Sequence, residues 1–121
     1  MQIREVIQSD SQDLFSWRND KLSREMFRDS SLITMEEHSN WFEEVRKNKQ
    51  KHIFIGLDDK NNKIGVCRFD IEDNMRTAEV SLNLNPHFRG KGLGRDLLEI
   101  SLCKFRSRFK KEIIANVKPS N

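Results

Sequence analysis

The residues best able to do chemistry lie together in Arg89-Gly90-Lys91-Gly92-Leu93-Gly94-Arg95. An apolar, alternating run from Ala78 to Leu84 precedes them and a helix-periodic run from Leu93 to Phe109 follows, so the stretch reads as strand, glycine loop and helix start. Glycines at alternate positions let the backbone enter conformations closed to other residues. Their N–H groups then converge with the unpaired donors of the helix's first turn, at the end where the helix dipole favours negative charge. Arg89, Lys91 and Arg95 add formal positive charge, so a phosphate is the expected guest. The second candidate is Glu79 on the strand before the loop. It shares a face with Thr77, Ser81 and Asn83, opposite Ala78, Val80, Leu82 and Leu84. A carboxylate there can act as a general base; a solvated acid on the polar face of a strand fits the same pattern equally well.

The elements that must position these residues follow from periodicity. Ile3, Val6 and Ile7 predict a first strand, and Ser9-Asp10-Ser11-Gln12 reads as a capping box opening a short helix to about Asp20. Lys21 to Leu32 fits either another helical turn or an ordered loop. Thr34-Met35-Glu36-Glu37 is a second capping box, after which Met35, His38, Trp41, Phe42 and Val45 recur at helical spacing. His38 and Trp41 on that apolar face are read as core. His52 to Leu57, Lys63 to Ile71 and the strand into the loop form an antiparallel meander, with Asp58 to Asn62 as turn chemistry. The central helix buries Leu97, Leu98, Ser101, Leu102, Phe105 and Phe109. Ile113 to Val117 then returns as a strand, placed parallel to the one before the loop by the right-handed crossover rule.

Composition sets limits on function. The chain of 121 residues is the size of one domain, and its 22 basic against 19 acidic residues are interspersed, leaving a net charge of +3. No basic tract argues for nucleic acid. No signal peptide and no membrane-length apolar run is present, so neither a membrane partner nor export is expected and the chain is read as cytoplasmic. Cys67 and Cys103 are expected as buried free thiols, without disulfide or metal site.

Three phosphate motifs compete for the loop. A nucleotide-triphosphate P-loop needs Ser or Thr after Gly-Lys, where Gly92 stands here, and a dinucleotide fingerprint needs Gly-x-Gly-x-x-Gly early in a βαβ unit. An ordinary strand-to-helix turn with solubilising charges would not require strand, Pro86, arginine, three glycines and apolar helix start in this order. Arg-Gly-x-Gly-Leu-Gly after an aliphatic-Asn-Pro turn resembles the acetyl-coenzyme A loop of the GNAT superfamily of N-acetyltransferases. The resemblance covers nearly the whole chain. It implies a mixed α+β (α/β) fold of order β-α-α-β-β-β-α-β with a mainly antiparallel sheet. Trp17-Arg18-Asn19-Asp20 and Glu37-His38-x-x-Trp41-Phe42 are similar to the branch of bacterial amino-sugar acetyltransferases of nucleotide-sugar pathways, such as the pseudaminic acid type. The ribosomal-protein N-terminal acetyltransferases are similar too.

By that resemblance the cosubstrate is acetyl-CoA, with no metal, and the acceptor is a primary amine, nucleotide-linked amino sugar first. Backbone groups of Leu82 and Leu84 would pair with the pantetheine arm, Arg89, Gly90, Lys91, Gly92, Leu93, Gly94 and Arg95 would cradle the pyrophosphate, and Asn121 would touch the pantetheine. Arg18 and Asn19 would bind the acceptor, and Glu79 would be the base in a direct transfer that uses neither cysteine. Relatives continue into another helix and a hairpin, so residues 1–121 are read as one GNAT domain cut short at its C-terminal side. Many relatives use a tyrosine there as general acid, and this chain has none. A non-catalytic acyl-CoA-binding module therefore stands beside the enzyme reading, as does an N-terminal-amine acetyltransferase. An uncovered strand from Ile113 to Val117 would pair two copies into a homodimer.

Overall fold

The computed structural model describes residues 1–21 and 32–115. Five strands lie in sequential order in one sheet: β1 (Gln2–Glu5), β2 (Lys51–Leu57), β3 (Lys63–Ile71), β4 (Thr77–Leu84) and β5 (Glu112–Ala115). The first four are antiparallel, and β5 runs parallel to β4, from Thr77↔Glu112 to Val80↔Ala115. Among the described residues three helices complete the mixed α+β fold: α1 (Ser11–Asn19), α2 (Met35–Lys47) and α3 (Leu93–Arg108), the last crossing over from β4 to β5.

The pleat sorts the core into two layers. On one face Phe54, Cys67, Phe69, Ile71 and Ala78 pack with Leu97 and Phe105 of α3, and Val80, Leu82 and Leu84 of β4 join them. The rings of Phe69 and Phe105 stack at 4.3 Å between centroids. On the other face Ile55 packs with Leu14 and Trp17 of α1 and Phe42 of α2. The alternation in β4 thus reads as expected, with Glu79 on the face away from α3.

Several boundaries differ from expectation. β1 ends at Glu5, so Val6 and Ile7 fall beyond it, and no box forms between Ser9 and Gln12. A 3-10 turn, Gln8–Asp10, comes first, and the Asp10 carboxylate accepts from the Ile7 N–H at 2.8 Å. The reason is tertiary. Asp10 is fully buried and also takes two hydrogen bonds from Arg4, at 2.7 and 2.9 Å, while Lys63 lies 2.8 Å away. The box at Thr34 does form, with Glu37 N–H donating to Thr34 Oγ1 at 3.1 Å. Cys103 is exposed rather than buried, because it falls across the helix from the Leu97, Ser101 and Phe105 stripe. Residues 22–31 of the ambiguous segment, Val117 of the last expected strand and Asn121 lie outside the described residues.

Candidate active site

β4 leads into a 3-10 turn, Pro86–Phe88, capped by Asn85, whose side chain accepts from the His87 N–H and donates to the Lys63 carbonyl at 2.9 Å. That clamp fixes where the chain leaves the sheet. The loop then turns through two left-handed residues, Gly90 at φ +77° and Gly92 at φ +74°. Nothing lies within 4 Å of where a Cβ would stand on either, so here glycine serves conformation rather than close packing. Gly94 differs: it lies in α3, and a Cβ there would make ordinary van der Waals contact with Leu82 Cδ2 at 3.4 Å and Leu84 Cδ1 at 3.5 Å.

Gly92 is the N-cap of α3 and supplies no side-chain acceptor, so no N-cap side chain claims the first-turn N–H groups. These groups, the left-handed glycines and the open space around them fit a pyrophosphate held by main chain. The loop cations are disposed around this cradle. Lys91 Nζ lies 5.5 Å from the Phe88 ring centroid, Arg95 pairs with Glu99 at 3.2 Å, and Arg89 Nη1 donates to Asp20 at 2.5 Å. Asp20 went unnoticed in the sequence as a partner of the loop, since 69 positions separate the two residues. Two residues near the end of β4 are the pantetheine candidates. Leu82 and Leu84 pair with Cys67 and Gly65 of β3 on one side, and among the described residues the β5 pairing on the other side stops at Val80.

Glu79 is half-buried and lies directly opposite Asp70 of β3 and Ile114 of β5. Asp70 is drawn to two cations, Lys51 at 3.4 Å and Arg68 at 3.2 Å, and the Arg68 guanidinium lies 5.5 Å from the centroid of the Trp41 ring. Around the candidate base is thus a charged patch under α2. Sequence reading missed it because cross-strand neighbours depend on register.

The helical candidates are engaged in holding the scaffold. Asn19 donates to the Ile33 carbonyl at 2.7 Å and accepts from its N–H at 2.8 Å, closing the base of the segment between α1 and α2. Arg18 is half-buried beside it. His38 is buried among Phe15, Trp41 and Phe42, its Nε2 donating to the Ser11 carbonyl at 2.9 Å; burial holds its pKa below the ordinary value although that hydrogen bond opposes the shift. It is a core residue that ties α2 to α1. Burial pushes the Cys67 thiol up to about 12, so a thiolate nucleophile is not available there. Among the described residues no group of three His, Cys, Asp or Glu side chains could hold a metal, and no helix is long and apolar enough to cross a membrane.

The sequence matches the family described as acetyltransferase (GNAT) domain over residues 1–121. No curated protein matches it significantly. Among solved structures it is similar to a spermidine N-acetyltransferase from Vibrio cholerae in complex with CoA and spermine, with a TM-score of 0.86 at 20% identity over 99% of this chain and 72% of that one. A ribosomal-protein-alanine N-acetyltransferase from Brucella melitensis gives 0.81 at 21%, over 100% of this chain and 76% of that one. A domain from Methanocaldococcus jannaschii gives 0.83 at 22%, over 99% and 79%. At such identities the structural likeness speaks for the fold.

Proposed function

This chain belongs to the acetyltransferase (GNAT) domain family, and from that premise we propose how its own residues run the reaction. It is an acetyl-CoA-dependent N-acetyltransferase, with acetyl-CoA as cosubstrate supplying the thioester. Residues 1–121 are read as one such domain. The pyrophosphate is held at Arg89 to Arg95, and the observation that carries this is the pair of left-handed glycines in open space before an α3 N-terminus that no N-cap side chain claims. The main chain of Leu82 and Leu84 binds the pantetheine arm as an added strand would. This is supported by both residues lying in the extended end of β4, paired to Cys67 and Gly65 of β3.

Glu79 is the proposed base. An ammonium has no lone pair, so the acceptor must lose a proton before its nitrogen attacks the thioester carbonyl, and a carboxylate on the face of β4 away from α3 can accept it directly or through water. Glu79→Gln keeps the shape and removes the base, and turnover should fall about 10²–10⁴-fold while CoA still binds. Unchanged turnover at neutral pH would return Glu79 to the solvated face of its strand.

The acceptor is read as the amino group of a nucleotide-linked sugar, on the strength of the Trp17-Arg18-Asn19-Asp20 and Glu37-His38-x-x-Trp41-Phe42 signatures. Asn19, Glu37 and His38 commit polar groups to clamp, cap and core, so these signatures support the frame of the acceptor side. Arg18 is the member proposed to meet the acceptor. A thiol-release assay with a nucleotide-linked amino sugar, spermidine and an alanyl peptide tests this. Turnover on the sugar is expected; turnover on the peptide or the polyamine alone would replace the acceptor and leave the reaction standing. Pairing of two copies along β5, where Ile114 is exposed, belongs to the same reading. A stable monomer in sedimentation at rising concentration would remove it.

A further inference from the structure

The three cations of the glycine loop differ in what holds them. Lys91 lies near the ring of Phe88, its neighbour in the preceding turn, and Arg95 pairs with Glu99 one turn along its own helix, both fully local arrangements. Arg89 instead reaches across the molecule to Asp20, its Nη1 2.5 Å from Oδ2, with the two side chains only 20% and 30% exposed. Such a pair is screened less than one at the open surface.

Both ends of the pair are informative. Arg89 has extended backbone, φ −73° and ψ 153°, and directly precedes Gly90 at φ +77°. Fixing Arg89 therefore fixes the entry to the left-handed part of the loop. Asp20 is the residue at which α1 stops, its ψ of 138° taking the chain out of the helix. Its own setting is rigid: Leu14 and Trp17 of α1 are buried in the core, and the adjacent Asn19 grips the Ile33 backbone with two hydrogen bonds. The carboxylate is thus presented by a fixed frame to a loop whose flexible residue type is glycine.

We infer that Asp20 is a positioning residue for coenzyme A binding: it holds Arg89, and through it the loop backbone, in the conformation that aims the N–H groups at the pyrophosphate. This rests on the acetyltransferase reading above. The gain comes from ordering before the ligand arrives, since a loop already held in its bound conformation loses less freedom on binding. The opposite role, Asp20 competing with phosphate for Arg89, predicts the opposite sign, because removing a competing carboxylate tightens binding.

Titration of coenzyme A into the full chain at fixed salt decides between them, with thermal melting run on each variant. Asp20→Asn is expected to raise the Kd about three- to tenfold, the reach of a partly exposed ion pair. Asp20→Glu should recover most of the loss. Arg89→Gln should lose at least as much as Asp20→Asn, since it also removes a loop charge, and the double variant should bind no worse than Arg89→Gln, because without Arg89 the Asp20 carboxylate no longer acts on the loop. A merely structural pair would lower Tm and leave Kd unaltered well below the melt. An unchanged or lower Kd in Asp20→Asn, or fully additive losses in the double variant, overturns the inference. Gly92→Val separates this from the underlying reading: if it abolishes binding while Asp20→Asn binds as the parent does, only the role of Asp20 falls. If neither variant affects binding, the coenzyme A site itself lies elsewhere.

Discussion

The turn at Asp10 and the loop from Arg89 to Arg95 are both places where backbone and charged groups converge, and the chain treats them in opposite ways. At Asp10 the convergence is closed from within. Arg4, Lys63 and the Ile7 N–H all point at one buried carboxylate, which joins β1, the start of α1 and β3. Burial alone would raise its pKa, but hydrogen bonds from Arg4, Lys63 and Ile7 outweigh that and bring it to about 2. At the glycine loop no N-cap side chain takes the first-turn N–H groups of α3, and nothing lies within 4 Å of where a Cβ would stand on either left-handed glycine. Polar groups satisfied inside the chain hold the fold, and donors that no side chain of the chain claims are the ones a ligand can take.

Breaking the closed site should produce the largest effect. Asp10→Ala strips Arg4 of its carboxylate and leaves Lys63 with Asp13 alone, 2.8 Å away, and should cost about 3 kcal/mol, at the lower end for a broken buried pair because both cations keep some solvent contact and Lys63 keeps one partner. A calorimetric melt should show Tm falling by about 10 °C. Coenzyme A binding well below that melt should be unaltered; a matching loss of affinity would mean that the two regions are not separate.

The same site sets an acid limit. Because the folded pKa of Asp10 is depressed from 3.8 to about 2, its contribution is fully present above pH 4 and is lost as the pH falls through that window. The amount is about 2 kcal/mol. Urea unfolding at pH 5 and pH 2.5 measures it, and the difference should shrink in Asp10→Ala. An equal difference in the variant would assign the acid sensitivity to other carboxylates.

The open site should answer to substitution with affinity more than with stability. Gly92→Val forces a β-branched residue to φ +74°, a cost of about 1–2 kcal/mol or more, and should weaken coenzyme A binding about tenfold or beyond. Lys91→Ala removes an exposed charge and should change binding by about threefold at most. Isothermal titration of both gives the ratio, and a larger effect from Lys91 than from Gly92 would make the site one of side-chain charge rather than main-chain donors.

The sequence by itself determined the order of elements, the faces of β4 and α3, the helix start at Thr34 and the glycine loop, because each is written in short-range terms. A strand shows its faces by alternation, a helix by its stripe, a cap by residues three apart, and a loop that must turn left-handed shows its glycines in a row. Tertiary structure alone decided who meets whom. Asp10 looked like one member of a capping box and became the buried hub, because Arg4 and Lys63 reach it from β1 and β3. Glu79 looked isolated and faces Asp70, because the β3–β4 register puts them opposite. Arg89 looked like one of three equivalent loop cations and is the one tied to α1 through Asp20. Charges act through space with little regard for chain separation, so the local pattern of a sequence records which residues are charged and leaves their partners to the packing of helices on the sheet.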